Sequence, residues 1–161
     1  MISGLRSKST EQKQGFLQFS QKLDYGLFLL IELARIQISK KHDEPVSLRT
    51  IAEENKMSFF FMQKVAFELR KSGIISADRG KNGGYVLAKP SSEVTLKDIV
   101  EVLEGPVTVM HCLASEIHST CERQPRCTMR HGLSTVNQAI INIFSQTTLN
   151  HLLHPTWKQA V

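Results

Sequence analysis

Long hydrophobic runs are missing from this sequence of 161 residues. A membrane-spanning helix needs about 18 or more consecutive apolar residues, and the longest apolar stretch here, 27–31, is interrupted at once by Glu32. The first fifteen residues are polar and lack the apolar segment of a secretory signal. We therefore expect a disordered N-terminal tail over 1–16 and a cytoplasmic protein without a membrane partner.

The motifs of common enzyme classes are also missing. The sequence contains no phosphate-binding loop, no nucleophile elbow and no paired-carboxylate pattern, and its six histidines fit no hydrolase or metalloprotease motif. It has no internal repeat and no low-complexity segment. These absences predict that the protein is not an enzyme.

Positive charge is present and unevenly distributed. The formal net charge is +5 and the isoelectric point is about 9.2. Within the 26-residue stretch 64–89, six Lys and Arg residues are opposed only by Glu68 and Asp78. Concentrated basic charge favours a polyanionic partner such as nucleic acid.

The apolar periodicity of the first half predicts three helices. The first, over 23–38, is apolar nearly all round; a short helix follows Ser47; and a longer one follows Ser58 and ends at Gly73. Serine is a favoured helix N-cap and glycine a favoured C-terminal stop. This order predicts a helix–turn–helix unit behind a buried first helix.

The second half begins with a hairpin signature. Two short β-type runs flank a glycine-rich turn and are closed by Pro90. Thr95, with Asp98 three residues later, predicts a capped fourth helix, and a long amphipathic helix is expected over 133–148.

The predicted fold class is mainly α with a small β-hairpin wing, a winged helix–turn–helix domain with a long C-terminal helix. The expected segments are 17–90 for the winged helix, 91–110 for a linker helix, 111–131 for a cysteine loop, 132–150 for the long helix and 151–161 for a flexible tail.

A winged helix inserts its second helix into the major groove, which is about 12 Å wide and admits a helix. Gln63 can offer a donor and an acceptor to adenine, and Ser58 can direct the helix N-terminal amides at a phosphate. Spacing alone leaves open whether the charged hairpin contacts DNA or is an ordinary solvated turn. The predicted DNA contacts are Arg49, Ser58, Phe60, Phe61, Gln63, Lys64, Arg70, Arg79, Lys81, Gly83 and Gly84.

The run LRKSGIISADRGKNGGYVLAKPSSEVTLKDIVEVLEGP resembles the wing and linker of the Rrf-type winged-helix transcriptional regulators, which include IscR-, NsrR- and RirA-like members. FSQKLDYGLFLLIELA resembles the first helix of the SUF-operon regulators among them. The resemblance implies a homodimer, paired through the long C-terminal helix, that represses transcription from a palindromic double-stranded DNA operator. Lys81 and Asn82 in the wing, and Phe61 and Gln63 in the second helix, depart from the usual residues, so the operator sequence stays open.

Three cysteines lie close together, in the spacing Cys112-x8-Cys121-x5-Cys127, and His131 follows after three residues. An odd number of thiols cannot pair fully within one chain, and thiolates are ligands for zinc, copper(I) and iron–sulfur centres. The same spacing occurs in zinc fingers that stack RNA bases on aromatic side chains. No aromatic residue lies between Cys112 and His131, so an RNA-binding zinc finger would lack the side chains on which bases stack. A purely structural zinc site stays open.

The family resemblance favours iron–sulfur over zinc, because its cluster-binding members carry three cysteines in this loop. It implies a cluster, [2Fe–2S] rather than [4Fe–4S], held by Cys112, Cys121 and Cys127, with His131 as fourth ligand. Asp24 is the alternative, by likeness to an aspartate that NsrR-like members lend from the partner subunit. The function implied is sensing of cluster status, iron, nitric oxide or redox stress. The alternative is a zinc-stabilised or thiol-redox regulator without a cluster.

Overall fold

The computed structural model describes residues 19–39, 45–78, 83–114, 121–122 and 126–154. Six helices and one hairpin make up these residues, which matches the predicted mainly α class with a β-hairpin wing. None of the helices in these ranges is long and apolar enough to cross a membrane. The elements are α1 (Gln21–Ile38), α2 (Leu48–Glu54), α3 (Phe59–Lys71), β1 (Ile75–Asp78), β2 (Gly84–Leu87), α4 (Leu96–Leu103), a 3-10 turn (His111–Leu113), α5 (Thr128–Gln146) and α6 (Leu149–Leu153).

The helix α1 is the centre of the core. It contacts α3, α4, α6 and β2, and Leu23, Leu29 and Leu30 on it are at most 1% exposed. Because fully burying a leucine contributes about 1.5–3 kcal/mol, these contacts on several sides hold the other helices around α1. Ser20 begins the helix, since its Oγ accepts hydrogen bonds from the backbone N–H groups of Lys22 and Leu23.

The helix α3 begins and ends where the sequence predicted. The Ser58 hydroxyl accepts a hydrogen bond from the Phe61 N–H. At the other end Gly73 has a φ of +77°, and the Ile74 N–H donates to the Leu69 carbonyl. This is a Schellman motif, which favours glycine because its left-handed residue carries no Cβ. Ser47 occupies the N-cap position of α2, although its side chain makes no capping hydrogen bond.

Tyr25 of α1 holds the N-terminus of α3 in place. The backbone N–H of Ser58 donates to the Tyr25 hydroxyl at 3.0 Å. The Tyr25 ring meets the Phe61 ring edge-on, with 4.9 Å between centroids, and Lys22 Nζ lies 3.2 Å from a carboxylate oxygen of Glu68. These three contacts fix both the position and the rotation of α3 relative to the core.

The wing consists of β1 and β2, which pair antiparallel with Ile75 opposite Leu87 and Asp78 opposite Gly84. Val46 pairs with Tyr85 of β2 in an isolated antiparallel bridge of two backbone hydrogen bonds. A Cβ at Gly84 would lie 2.6 Å from the carbonyl oxygen of Val46. Only glycine therefore permits this close backbone approach.

The helix α4 matches its prediction. Thr95 and Asp98 form the expected capping box. The predicted apolar stripe is buried in full and comprises Leu96, Ile99, Val100 and Leu103.

The long helix differs from its prediction. It begins at Thr128, inside the segment 111–131 assigned to the cysteine loop. The periodicity does not reveal this first turn, because Met129 is the one apolar residue in 128–131. It ends at Gln146, and α6 then occupies part of the predicted tail 151–161. The break occurs because the Thr147 carbonyl accepts the Leu96 N–H at 2.7 Å and Leu149 is fully buried. The predicted tail 1–16 and residues 155–161 lie outside the described residues.

Two glycine-to-alanine changes are expected to act in opposite directions. Gly84→Ala places a methyl group against backbone and should lower the free energy of unfolding by about 1–3 kcal/mol. Gly132 lies inside α5, where an added Cβ meets no described atom within 4 Å. Gly132→Ala should therefore raise that free energy by about 0.5–1 kcal/mol. Urea unfolding at one fixed protein concentration measures both, and equal effects would contradict the close approach at Gly84.

Tyr25→Phe keeps the ring contact with Phe61 but removes the acceptor of the Ser58 N–H. We expect it to lower the free energy of unfolding by about 1 kcal/mol, because an exposed turn lets water replace part of the lost bond. Amide hydrogen exchange should become faster at Ser58 while staying slow at Leu69. Unchanged exchange at Ser58 would show that the hydroxyl does not hold the start of α3.

Candidate nucleic-acid interface and cysteine segment

The helix α3 exposes one face opposite the core. Met62, Val65, Ala66 and Leu69 are buried, and at 3.6 residues per turn the opposite side carries a second set of side chains. We call this set the outer face of α3. It comprises Phe60, Gln63, Lys64, Phe67, Arg70 and Lys71, all exposed.

The outer face is basic. Lys64, Arg70 and Lys71 give it three positive charges and none of its members is acidic. The one carboxylate of α3 belongs to Glu68, which is half-buried and paired with Lys22 of α1. The helix thus pairs its acidic group with Lys22 of α1 and leaves its basic groups on the outer face, as a surface that meets a polyanion requires.

Two phenylalanines stand on this basic face. The side chain of Phe60 is 77% exposed and that of Phe67 is 56% exposed. The Arg70 guanidinium lies over the Phe67 ring, 5.8 Å from its centroid. The Phe60 ring makes only a tilted contact with Phe59, with 5.9 Å between centroids.

The structure sorts the predicted DNA contacts. Phe60, Gln63, Lys64 and Arg70 belong to the outer face, and Ser58 stands exposed at its N-terminal end. Arg49 is exposed on α2, over the Phe59 ring and near Glu53. Gly83 is exposed at the edge of the wing, whereas Arg79 and Lys81 lie outside the described residues.

Two of the predicted DNA contacts, Phe61 and Gly84, pack against other parts of the chain, and their contact with DNA stays a prediction. Phe61 is half-buried against Tyr25, because it faces α1 rather than solvent. Gly84 is buried under the backbone of Pro45 and Val46, so its role is packing within the wing. Conversely, sequence reasoning missed Phe67 and Lys71, which the helical spacing of seven residues from Phe60 and Lys64 could have revealed.

The three cysteines are free thiols on different local structures. Cys112 is half-buried in the 3-10 turn, Cys121 is exposed, and half-buried Cys127 is the N-cap of α5. The 3-10 turn contacts α5, so Cys112 and Cys127 belong to neighbouring elements. Residues 115–120 and 123–125 lie outside the described ranges.

Within the described ranges, no three or more His, Cys, Asp or Glu side chains come close enough together to hold a metal ion. His131 is exposed on α5, and Asp24 is exposed in the first turn of α1. The structure therefore does not bring the predicted ligands together, and the metal site stays a prediction.

The donor chemistry near Cys127 nevertheless suits an anionic iron–sulfur group. Three free thiols are present, and soft sulfur ligands are those such clusters use. The Nε of Arg130 is buried, and no described residue accepts its hydrogen bond. An orphaned cationic donor three residues after Cys127 is the kind of group that a bound anion satisfies.

Asn137 connects α5 to the segment that precedes Cys112. Its side chain is buried, and its Oδ1 accepts the Val109 N–H at 2.8 Å. Sequence reasoning missed this residue, since an asparagine in an amphipathic helix usually faces water. The hydrogen bond ties the approach to the cysteines to the middle of α5.

The helix α5 also exposes apolar side chains at heptad spacing. Met129, Val136 and Ile143 are 64%, 49% and 48% exposed. We call them the α5 stripe. A row of exposed apolar side chains seven residues apart is typical of a helix that packs on another helix.

Comparison with known proteins assigns the chain to a family. The model described as Rrf2, iron-dependent transcriptional regulator, matches residues 19–155. The HTH-type transcriptional regulator CymR of Bacillus subtilis is 34% identical over 137 residues, which are 84% of this chain and 89% of CymR. NsrR of Shouchella clausii is 30% identical over 137 residues, 85% of this chain and 89% of NsrR.

Solved structures agree. The structure of CymR, described as the global cysteine regulator of B. subtilis, has a TM-score of 0.67 at 31% identity and covers 85% of this chain and 96% of its own. IscR of T. potens has a TM-score of 0.65 at 26% identity, over 89% of this chain and 94% of its own. These matches confirm the predicted winged-helix fold, the DNA-binding regulator class and the prediction that the protein is not an enzyme. The chain belongs to the Rrf2 family of transcriptional regulators.

Proposed function

We propose that this protein is a dimeric cytoplasmic regulator, a repressor, whose affinity for a palindromic DNA operator depends on an iron–sulfur cluster held by its three cysteines. The observation that carries the proposal is the placement of α5. Its N-cap is Cys127, its middle is bonded to the segment before Cys112, and its C-terminal end is bonded to α4. One helix thus joins the cysteine segment to the DNA-binding body.

The outer face of α3 would contact DNA. Its three cations can neutralise phosphates, which supplies sequence-independent affinity. Gln63 can form a bidentate pair with adenine in the major groove. Ser58 caps the helix, and the N-terminal amides that follow it suit a phosphate. Arg49 on α2, Gly83 at the edge of the wing, and Arg79 and Lys81, which lie between β1 and β2 in the sequence, would contact the flanking backbone.

The α5 stripe would form the dimer contact. A second copy related by a two-fold axis presents the same apolar side chains, so each stripe covers the other. Two outer faces of α3 then read two half-sites about 34 Å apart or a multiple of that distance. A two-fold protein requires a palindromic operator.

Cys112, Cys121 and Cys127 would hold the cluster, [2Fe–2S] rather than [4Fe–4S], with His131 or a second copy's Asp24 as fourth ligand. When bound, such a cluster supplies a group that iron shortage, oxidants or nitric oxide can remove. Cys127 and the buried Arg130 Nε stand at the positive N-terminal end of α5, which favours bound negative charge. Gathering the three sulfurs would fix the 3-10 turn relative to α5.

Asn137 and the end of α5 would transmit that change. The Val109–Asn137 hydrogen bond makes the middle of α5 follow the segment before Cys112. The Leu96–Thr147 hydrogen bond makes α4 follow the end of α5. Since α4 contacts α1 and α3, a shift of α5 changes how the two α3 helices of a dimer meet DNA.

A second candidate function is thiol sensing without a cluster, with zinc as a further structural option. Two observations favour it: the three thiols are free and not gathered among the described residues, and the relative CymR is described as a global cysteine regulator. In this alternative, oxidation of the thiols would replace cluster loss as the signal.

Anaerobic purification separates these functions. We expect visible absorption, with iron and sulfide in equal amounts, and different operator affinities for the holo and apo forms in fluorescence anisotropy.

Changing Cys112, Cys121 or Cys127 singly to Ser should abolish the absorption, whereas His111→Ala, beside Cys112, should retain it. His131→Ala and Asp24→Ala test the fourth ligand. Protein without iron or sulfide that resists reconstitution contradicts the cluster. Zinc near one per chain, or a response to oxidants alone, supports the alternatives.

Asn137→Leu tests the transmission route. Leucine has the same branched arrangement of side-chain heavy atoms but cannot accept the Val109 N–H, so cluster loading should move α5 less. We expect the ratio of holo to apo operator affinity to move about 2- to 30-fold toward one, with iron per chain unchanged. Gln138→Leu is the matched control, because exposed Gln138 bonds, among the described residues, only to Asn142 of the same helix. An unchanged ratio in Asn137→Leu would show that this bond carries no coupling.

A further inference from the structure

Phe60 is exposed without a structural role that explains its size. Its ring is the most exposed of the large hydrophobic side chains in the described residues, at 77%. Burying a phenylalanine stabilises a fold by about 1.5–3 kcal/mol, and this one forgoes nearly all of that gain. A side chain of this kind on a helix face points to a binding partner.

The surroundings of Phe60 identify the partner's charge. One turn further along the same face is Lys64, two turns further is Phe67, and three turns further is Lys71. Two copies of such a face repel one another, so a second copy of α3 does not fit. A partner that presents apolar groups within a strongly negative surface does fit, and the major groove of DNA is such a surface.

The position of Phe60 on α3 identifies the group it meets. It is the second residue of the helix, two positions after the N-cap Ser58, and the N-terminal residues of a recognition helix are those that reach base edges. Among the four bases only thymine presents an apolar group in the major groove, the methyl group on C5. A phenyl ring has no hydrogen-bond donor or acceptor, so it gains from that methyl group and loses against a polar base edge.

We propose that Phe60 reads a thymine in each half-site of the operator through the thymine 5-methyl group. This inference rests on the proposed docking of α3 in the major groove. It assigns Phe60 as a specificity-determining residue and makes a thymine methyl, rather than a hydrogen-bond pattern, the feature recognised beside the base that Gln63 contacts.

Phe67 has a different role and supplies the matched control. Seven residues separate it from Phe60, so it lies about 10 Å further along the helix axis, away from the end that enters the groove. The Arg70 guanidinium covers its ring. Phe67 therefore holds Arg70 for a phosphate and does not read a base.

The test uses the full chain and duplexes in which thymine is replaced by deoxyuridine. Deoxyuridine pairs with adenine as thymine does and lacks only the 5-methyl group. The operator is first obtained by selection from random duplexes with the form that binds DNA. Single replacements are then scanned across one half-site by fluorescence anisotropy.

We expect one thymine per half-site to be sensitive, with about a fourfold loss of affinity, the fold-change for one buried methyl-sized group. Phe60→Ala should bind the uracil and thymine duplexes equally at that position, and selection with Phe60→Ala should lose the thymine preference there. Phe67→Ala should keep the fourfold sensitivity. The comparison is a double-mutant cycle between one side chain and one methyl group.

Two results would overturn the inference. One is a wild-type protein that selects an operator but responds to no uracil replacement. The other is Phe60→Ala that keeps the wild-type sensitivity while its thermal midpoint is unchanged. Both leave DNA binding by α3 intact, whereas a protein that enriches no duplex sequence in any cluster state contradicts the proposed function itself.

Discussion

The structure depends on the burial of α1 on nearly all sides. Leu23, Leu29 and Leu30 are almost fully buried, and α1 contacts α3, α4, α6 and β2. Tyr25, on the same helix, holds the first turn of α3 through its hydroxyl and its ring. Because the hydrophobic contacts are non-directional, it is this polar contact and the edge-on ring pair that give α3 a defined rotation. The contacts with α1 therefore determine which side chains of α3 form its outer face.

The helix α5 packs on α4 and is less deeply buried than α1. Among its described residues Asn137 is buried and Phe144 packs half-buried against the core, whereas the apolar stripe is exposed. Hydrogen bonds fix it at two points, Val109 and Leu96. A helix held in this way moves more readily than one packed in the core. This is the property that the proposed function requires of the element between the cysteines and α3.

The outer face of α3 departs from what stability alone would favour. Two exposed phenylalanines and three basic side chains share one helix face that has no acidic member, and Glu68 pairs with Lys22 instead. Local departures from favourable patterning often mark functional surfaces. The apolar groups would supply base selectivity and the cations would supply affinity for phosphate, so the two properties can be altered separately by mutation.

The sequence by itself determined the element order, the caps at Ser58, Gly73 and Thr95, and the buried stripe of α4, because these follow from local periodicity and capping chemistry. It also pointed to the cysteines as a group. Only the tertiary structure decided that Phe61 faces Tyr25, that Gly84 packs on Val46, and that Asn137 bonds to Val109. Each of those outcomes depends on a partner distant along the chain, and local spacing carries no information about which distant residue a side chain will meet.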